Sequence, residues 1–268
     1  MREKAWGFFR RDLLNDLSSR FSLILQLLNV ALTVSAYVFL SQLILKDTLS
    51  QWYPNDQGYF PFVLVGMATN GAMLTALTGL SRSLQLQQPS GVLKPLFFSQ
   101  TESTVVLFLS SIYPFVRAVV DLLIYLIVGW AFTDLNFARA NLIGAGLLLS
   151  LSIVAFCSLG LLAAAFTVLF KYGNPFLWVI GSSSWFLGGV LYPMHLLPLP
   201  LRWIAEIFPL THALRGMRAA LLAGAPLTEL LVPVAFLTAF SIVMVPLGVL
   251  VFNIGLRRAR VNGLLNEW

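Results

Sequence analysis

An all-α membrane protein with six spanning helices is the fold class this sequence predicts, on three observations. Hydrophobic residues make up 58% of the 268 positions and charged residues 10%, where a soluble domain carries about 25% charge. The mean hydropathy is +0.84. Six segments are continuously apolar over the roughly 20 residues that carry a helix across a hydrocarbon core of about 30 Å, without the ten-residue alternation of barrel strands. The single cysteine, Cys157, lies inside an apolar segment and is expected to pack there, since it has no partner for an intrachain disulfide.

The chain begins with residues 1–20, where Trp6, Phe9, Leu13, Leu17 and Phe21 recur at intervals of three or four while Arg10, Arg11, Asp12, Asn15 and Asp16 occupy other faces. That pattern predicts an interfacial amphipathic helix with its aromatic side in lipid and its arginines near anionic headgroups. The first span, 21–45, continues well past the length of a signal-peptide core and has no small-residue cleavage site, so the N-terminus is expected to be retained. The second span is placed at 59–80.

Residues 81–102 form a polar connector to the third span, 103–132. Inside that span Arg117 and Asp121 stand four apart and share one helix face. Either charge alone near the membrane centre would cost about 2.5–3.5 kcal/mol, which predicts that they pair. Two roles stay open at this point: a polar feature of a transport path or dimer interface, or a self-neutralising structural pair. The fourth span runs from 141 to 170 and the fifth from 175 to 192. The fifth carries Gly181, Ser184 and Gly188 at helical spacing. Small residues let helix backbones approach closely, so this face is a candidate dimer seam, with packing inside one subunit as the alternative.

Residues 193–228 read as a re-entrant hairpin. Segments 198–207 and 211–223 are too short to cross and carry Arg202, Glu206, Arg215 and Arg218, with Pro209 between them. Thr211 is the expected N-cap of the second helix and Gly224 its stop. Trp185, Phe186, Tyr192, Trp203 and Phe208 gather around this region, as an interfacial aromatic belt or as a surface for sugars or drug rings. The last span is placed at 229–256.

Orientation follows from the basic residues. Arg2, Lys4, Arg10, Arg11, Arg20, Arg82, Lys94, Lys171, Arg257, Arg258 and Arg260 fall on one side, and Lys46, Arg139, Arg202, Arg215 and Arg218 on the other. The positive-inside rule puts both termini in the cytoplasm. The net charge of +6 is then topology and lipid contact, and no basic patch interleaved with aromatics points to nucleic acid.

Active-site signatures are absent from the sequence. The four lysines, Lys4, Lys46, Lys94 and Lys171, precede Ala5, Asp47, Pro95 and Tyr172, so none closes a P-loop. His195 and His212 have no neighbouring Cys or carboxylate cluster of metal-ligand spacing. No Gly-x-Ser-x-Gly elbow occurs. The chain is not expected to be an enzyme.

The stretch Gly188-Gly189-Val190-Leu191-Tyr192-Pro193-Met194, then Leu197-Pro198 and Phe208-Pro209-Leu210-Thr211-His212-Ala213-Leu214, resembles the membrane subunits of ABC exporters of the group that handles O-antigen and teichoic acid glycans, lipo-oligosaccharides and drugs, the ABC-2-type permeases. In the connector, Gly91 and Leu93 match this family's pattern, while Val92 stands for Thr and Lys94 for Glu. The resemblance implies one permease domain over residues 1–268 in a bacterial inner membrane, working as a dimer, a homodimer by preference, with separate ABC ATPase subunits. Those partners would hold ATP and Mg, with no cofactor on this chain. The resemblance also implies a coupling role for 81–102, with Arg82, Gln85, Gln88, Gly91, Leu93 and Lys94, and an extracellular gate at Tyr192, Pro193, Pro198, Pro209 and Arg215. Export direction comes from the family; the cargo stays open between a lipid-linked glycan, a lipid and an amphiphilic drug. Two other classes stay open: an ion-coupled carrier using Arg117, Asp121 and Glu102, and an intramembrane lipid-modifying enzyme using His195, His212 and Glu206.

Overall fold

The computed structural model describes residues 2–18, 20–43, 58–87, 103–132, 140–169 and 175–261. Among these residues every regular element is helical: α1 (Arg2–Ser18), α2 (Arg20–Leu43), α3 (Tyr59–Gln87), α4 (Ser103–Phe132), α5 (Leu142–Leu169), α6 (Pro175–Leu187), a 3-10 turn (Met194–Leu196), α7 (Leu199–Ile207), α8 (Pro209–Leu221) and α9 (Leu231–Val261). Helices are the outcome because long apolar runs in lipid must satisfy every backbone N–H and C=O within the segment.

Five of them, α2, α3, α4, α5 and α9, are long and apolar enough to cross a membrane. The sixth expected span is different. It stops at Leu187, a helix of 13 residues, which at about 1.5 Å per residue falls well short of the hydrocarbon thickness by itself. The cause is the turn that follows. Gly189 takes φ +71°, a left-handed conformation open to glycine and costly for other residues, and the chain leaves the helix axis there although its apolar composition continues.

Helices α3 and α5 form the centre. In their spanning windows 72% and 67% of residues are buried, against 11% in α2, 22% in α4 and 17% in α9, so the last three carry the outward faces. The core joins Ala68, Ala72, Met73, Ala76 and Leu77 of α3 to Leu148, Ile153 and Phe156 of α5 and to Leu210, Leu214 and Met217 of α8. Helix α9 lies along α5, α4 along α3, and α8 tucks against α5, α3 and α9. The short α8 is therefore a core element, with Pro209 to Leu214, Gly216, Met217, Ala220 and Leu221 buried.

The hairpin differs from the expected one at its turn. Helix α8 begins at Pro209, with Phe208 as its N-cap. Proline suits the first helical position because its missing N–H has no intrahelical partner there. Thr211 lies inside the helix, and its hydroxyl donates back to the Ala205 carbonyl at 2.7 Å. It joins the two helices, satisfying a carbonyl at the end of α7 and not the start of α8. Gly224, with φ +64°, follows the end of α8, where the Ala225 N–H donates to the Ala219 carbonyl.

Candidate functional site

Tyr113, Arg117 and Asp121 recur every fourth residue on α4 and so form one polar stripe on an otherwise apolar helix. The Arg117 Nε donates to Asp121 at 3.1 Å, as the spacing predicts. The pair is not self-contained. Asp121 also accepts from the Gln26 side-chain amide of α2 at 2.8 Å and from the Thr75 hydroxyl of α3 at 2.7 Å. Arg117 donates to the Gln26 side-chain oxygen and to Asp16 of α1 at 3.3 Å, and the Tyr113 hydroxyl donates to the same Asp16 carboxylate. One half-buried cluster, with Asp121 at its buried end, therefore draws side chains from α1, α2, α3 and α4.

The cluster also explains how α1 is seated. Phe9 and Asp16, seven residues apart, face the same way, and the Phe9 ring lies 5.9 Å from the Tyr113 ring. Phe9 thus packs on α4 instead of on lipid, because Tyr113 and Arg117 offer it an aromatic neighbour and offer Asp16 a cation. Trp6 and Phe21, from the same expected stripe, are exposed. Gln26, Thr75 and Tyr113 are not among the residues the sequence singles out, and Asp16, expected on a face away from the aromatic stripe, instead shares the face of Phe9. Gln26 carried a signal, a large amide in an apolar span, and Asp16 carried a weak one at the spacing of Phe9. Thr75 carried none.

A second polar point holds the α7–α8 hairpin against the bundle. Arg218 of α8 donates through Nε to the Phe62 carbonyl at 3.2 Å and through its two terminal nitrogens to the carbonyls of Gly189 at 2.9 Å and Val190 at 2.7 Å. Its guanidinium carbon also stands 3.4 Å from the centre of the Phe62 ring. Helix α3 passes so close that a Cβ on Gly66 would lie 2.4 Å from the Val190 carbonyl oxygen. The inward arginine is thus Arg218. Arg215, chosen from the sequence, is exposed and pairs with Glu206 of α7 at 2.6 Å.

The other sequence-chosen residues fall as follows. Tyr192 donates to the Phe186 carbonyl and meets the Phe186 ring edge-on, Pro193 caps the 3-10 turn, and Pro198 precedes α7. Ser184 and Gly188 are buried within their own chain, where a Cβ on Gly188 would meet the Leu210 side chain at 2.6 Å. Gly181 stands near Leu74 of α3. The small-residue face is therefore turned largely toward α3 and α8 of the same subunit. Arg82 and Gln85 sit in the last turns of α3. Gln88, Gly91, Leu93, Lys94 and Glu102 lie outside the described residues.

His212, buried in α8, is held at 2.9 Å from the Glu206 carbonyl oxygen, stacks 3.7 Å from the Phe236 ring and has Glu206 and Arg215 as its charged neighbours. Burial pushes its pKa below the usual histidine value and the Arg215 cation adds to this, while Glu206 opposes both. An imidazole that resists protonation when folded contributes stability that is complete above about pH 6.5, the unfolded value, and that declines as pH falls below it. The thermal midpoint of the purified protein is expected to drop between about pH 7.5 and 5.5, and His212→Gln is expected to flatten that slope. An equal slope in both proteins would remove His212 as its source. His195 lies in the 3-10 turn, so the structure gathers His212 and Glu206 around α8 and leaves the two histidines on different elements. Among the described residues no group of three His, Cys, Asp or Glu side chains is arranged to hold a metal ion.

A family model described as ABC-2 type transporter matches residues 5–222, from the first turn of α1 to the end of α8. No curated protein matches the chain.

Proposed function

The chain belongs to the ABC-2 type transporter family and is a permease subunit of an ABC transporter, and from this premise we propose that it is the membrane half of an ATP-driven exporter. Two copies work with two separate ATPase subunits, which hold ATP and Mg. The cargo is amphiphilic, a lipid-linked glycan, a lipid or a drug, because a long acidic polymer would call for more basic lining than this chain carries. Both termini lie in the cytoplasm of a bacterial inner membrane. That requires a sixth crossing, supplied by α6 with the turn after it, and makes the α7–α8 hairpin the extracellular gate, with Tyr192, Pro193, Pro198, Pro209 and Arg215 around it.

The observation that carries this reading is the match over residues 5–222, and the polar cluster supplies its mechanics. ATPase closure would push on residues 81–102, between α3 and α4. Thr75 precedes Arg82 by seven residues, about 10 Å of helix. Asp121 holds Thr75 and Gln26 while Arg117 holds Asp16, so a push on the connector moves α1, α2, α3 and α4 together. An ATPase in contact with both α1 and the connector would act on this cluster from two directions. The carrier alternative fares less well, since a relay carboxylate must exchange its proton and Asp121 is already held by three donors.

Purification of the tagged chain from its native membrane in mild detergent, followed by mass spectrometry and an ATPase assay, tests the proposal. An ATP-binding subunit is expected to accompany the chain, and its hydrolysis is expected to be lost when residues 85–96 are deleted. A stable assembly without any ATPase would overturn the reading in favour of the ion-coupled carrier and make Asp121 the residue to test.

A further inference from the structure

The helices α4, α5 and α9 line a half-open cavity of about 150 Å³. Phe115 of α4, Val154, Cys157 and Leu161 of α5, and Val245 and Val249 of α9 form most of its walls, with the hydroxyls of Ser111 and Ser158 beside them. Two of the three walls carry a proline inside the helix. Pro114 precedes Phe115 and Pro246 follows Val245. A proline inside a helix removes one backbone hydrogen bond and crowds the carbonyl four residues back, so it bends the helix. The polar atoms nearby are engaged elsewhere: the Cys157 thiol is turned toward the Ala76 carbonyl at 3.8 Å and the Ser158 hydroxyl donates to Ala155 at 2.6 Å.

The cavity is large enough for several waters yet its lining is mostly apolar and offers them few partners. Such cavities stay dry and take up apolar guests, and left empty they forfeit the dispersion contacts of their lining. The available guest follows from the location. Val154 in its lining is exposed, and so are Ile112 and Val116 of α4 and Ile242 and Leu250 of α9, close in sequence to other lining residues; all lie on helices long and apolar enough to cross a membrane, so the cavity is open toward their outer, apolar surface.

We propose that the α4–α5–α9 cavity is a binding site for one acyl chain of a bilayer lipid, which enters sideways past Val154 and wedges between the two proline-containing helices. The tail completes the packing that α4 and α9 leave open over α5, and it is held more tightly than the lipid that merely coats the helices.

Reconstitution into phosphatidylethanolamine and phosphatidylglycerol vesicles containing a little phosphatidylcholine with a diazirine in one acyl chain tests this by irradiation and peptide mass spectrometry. Cross-links to Phe115, Val245 and Val249 are expected at several times the yield at Ile242 and Leu250, the exposed residues of the same region. Val154→Trp fills the mouth and is expected to cut the cavity cross-links at least fivefold while those to Phe39 of α2 stay unchanged. Val154 is 38% exposed, so the larger ring has room. Val249→Phe is a second filling variant on another helix, expected to give the same selective loss. Cavity yields no higher than those of the exposed residues, or indifference to both variants, would overturn the site. Labelling of Cys157 by a small hydrophilic thiol reagent would overturn it by putting water there, and cavity residues cross-linked to a second copy would overturn it by putting protein there.

Discussion

Arg117→Leu is expected to destabilise the assembled protein by about 3–5 kcal/mol, because removing one member of a buried ion pair leaves the other charge uncompensated. Asp121 is buried and would keep only Gln26 and Thr75, while Asp16 would keep only Tyr113. The loss is read as a lower melting midpoint and a lower yield of monodisperse protein on fluorescence-detected size exclusion. The double variant Arg117→Leu/Asp121→Leu is expected to recover much of that stability, since paired charges replaced by apolar groups of similar volume are often neutral. It is nevertheless expected to uncouple the transporter. Asp16 would no longer be tied to α4 by a cation, and α2 and α3 would lose their common acceptor. ATP hydrolysis would then continue without export. Full export from a stable double variant would leave the cluster a purely structural device and remove the coupling role.

Arg218→Ala is expected to cost at least about 3 kcal/mol, the equivalent of two hydrogen bonds from a charged donor at roughly 1.5–3 kcal/mol each. It removes the donors to Phe62, Gly189 and Val190 and the cation over the Phe62 ring. The turn at Gly189 then has less to hold it, and limited proteolysis is expected to cut between α6 and α7. Arg215→Ala is the comparison. Its ion pair with Glu206 is exposed and is worth roughly 0.2–1 kcal/mol. Arg218→Lys should fall between the two, as an ammonium keeps the charge without the planar fork that reaches three carbonyls. Equal effects of Arg215→Ala and Arg218→Ala on melting and proteolysis would refute the assignment of Arg218 as the staple.

The two arginines of the hairpin show where a sequence stops being informative. Arg215 and Arg218 are three residues apart on an amphipathic helix, and nothing local distinguishes them. Arg218 faces inward only because Gly189 and Val190, 29 and 28 residues earlier, bring their carbonyls to it. The early end of α6 has the same origin. The composition of 175–192 is apolar to its end, and the helix stops at Leu187 because the chain turns at Gly188 and Gly189 to meet α3 and α8. Thr211 is a good N-cap residue by type, but Pro209 starts the helix earlier and the Ala205 carbonyl claims its hydroxyl.

What could be read from residue order alone was whatever depends on neighbours within a turn or two of helix. The membrane, the all-helical class and five of the six expected spans follow from run length and apolarity, and the Arg117–Asp121 bond follows from a spacing of four. The partners of that bond did not follow. Asp16 lies 101 residues from Arg117 in the chain and Gln26 lies 95 from Asp121, and a polar side chain in an apolar helix signals that it needs a partner without saying which. Only the packing of α1, α2 and α3 around α4 makes that choice, because in a bilayer a buried charge is satisfied by the donors that other helices bring, and which helices come near is settled by the whole fold at once.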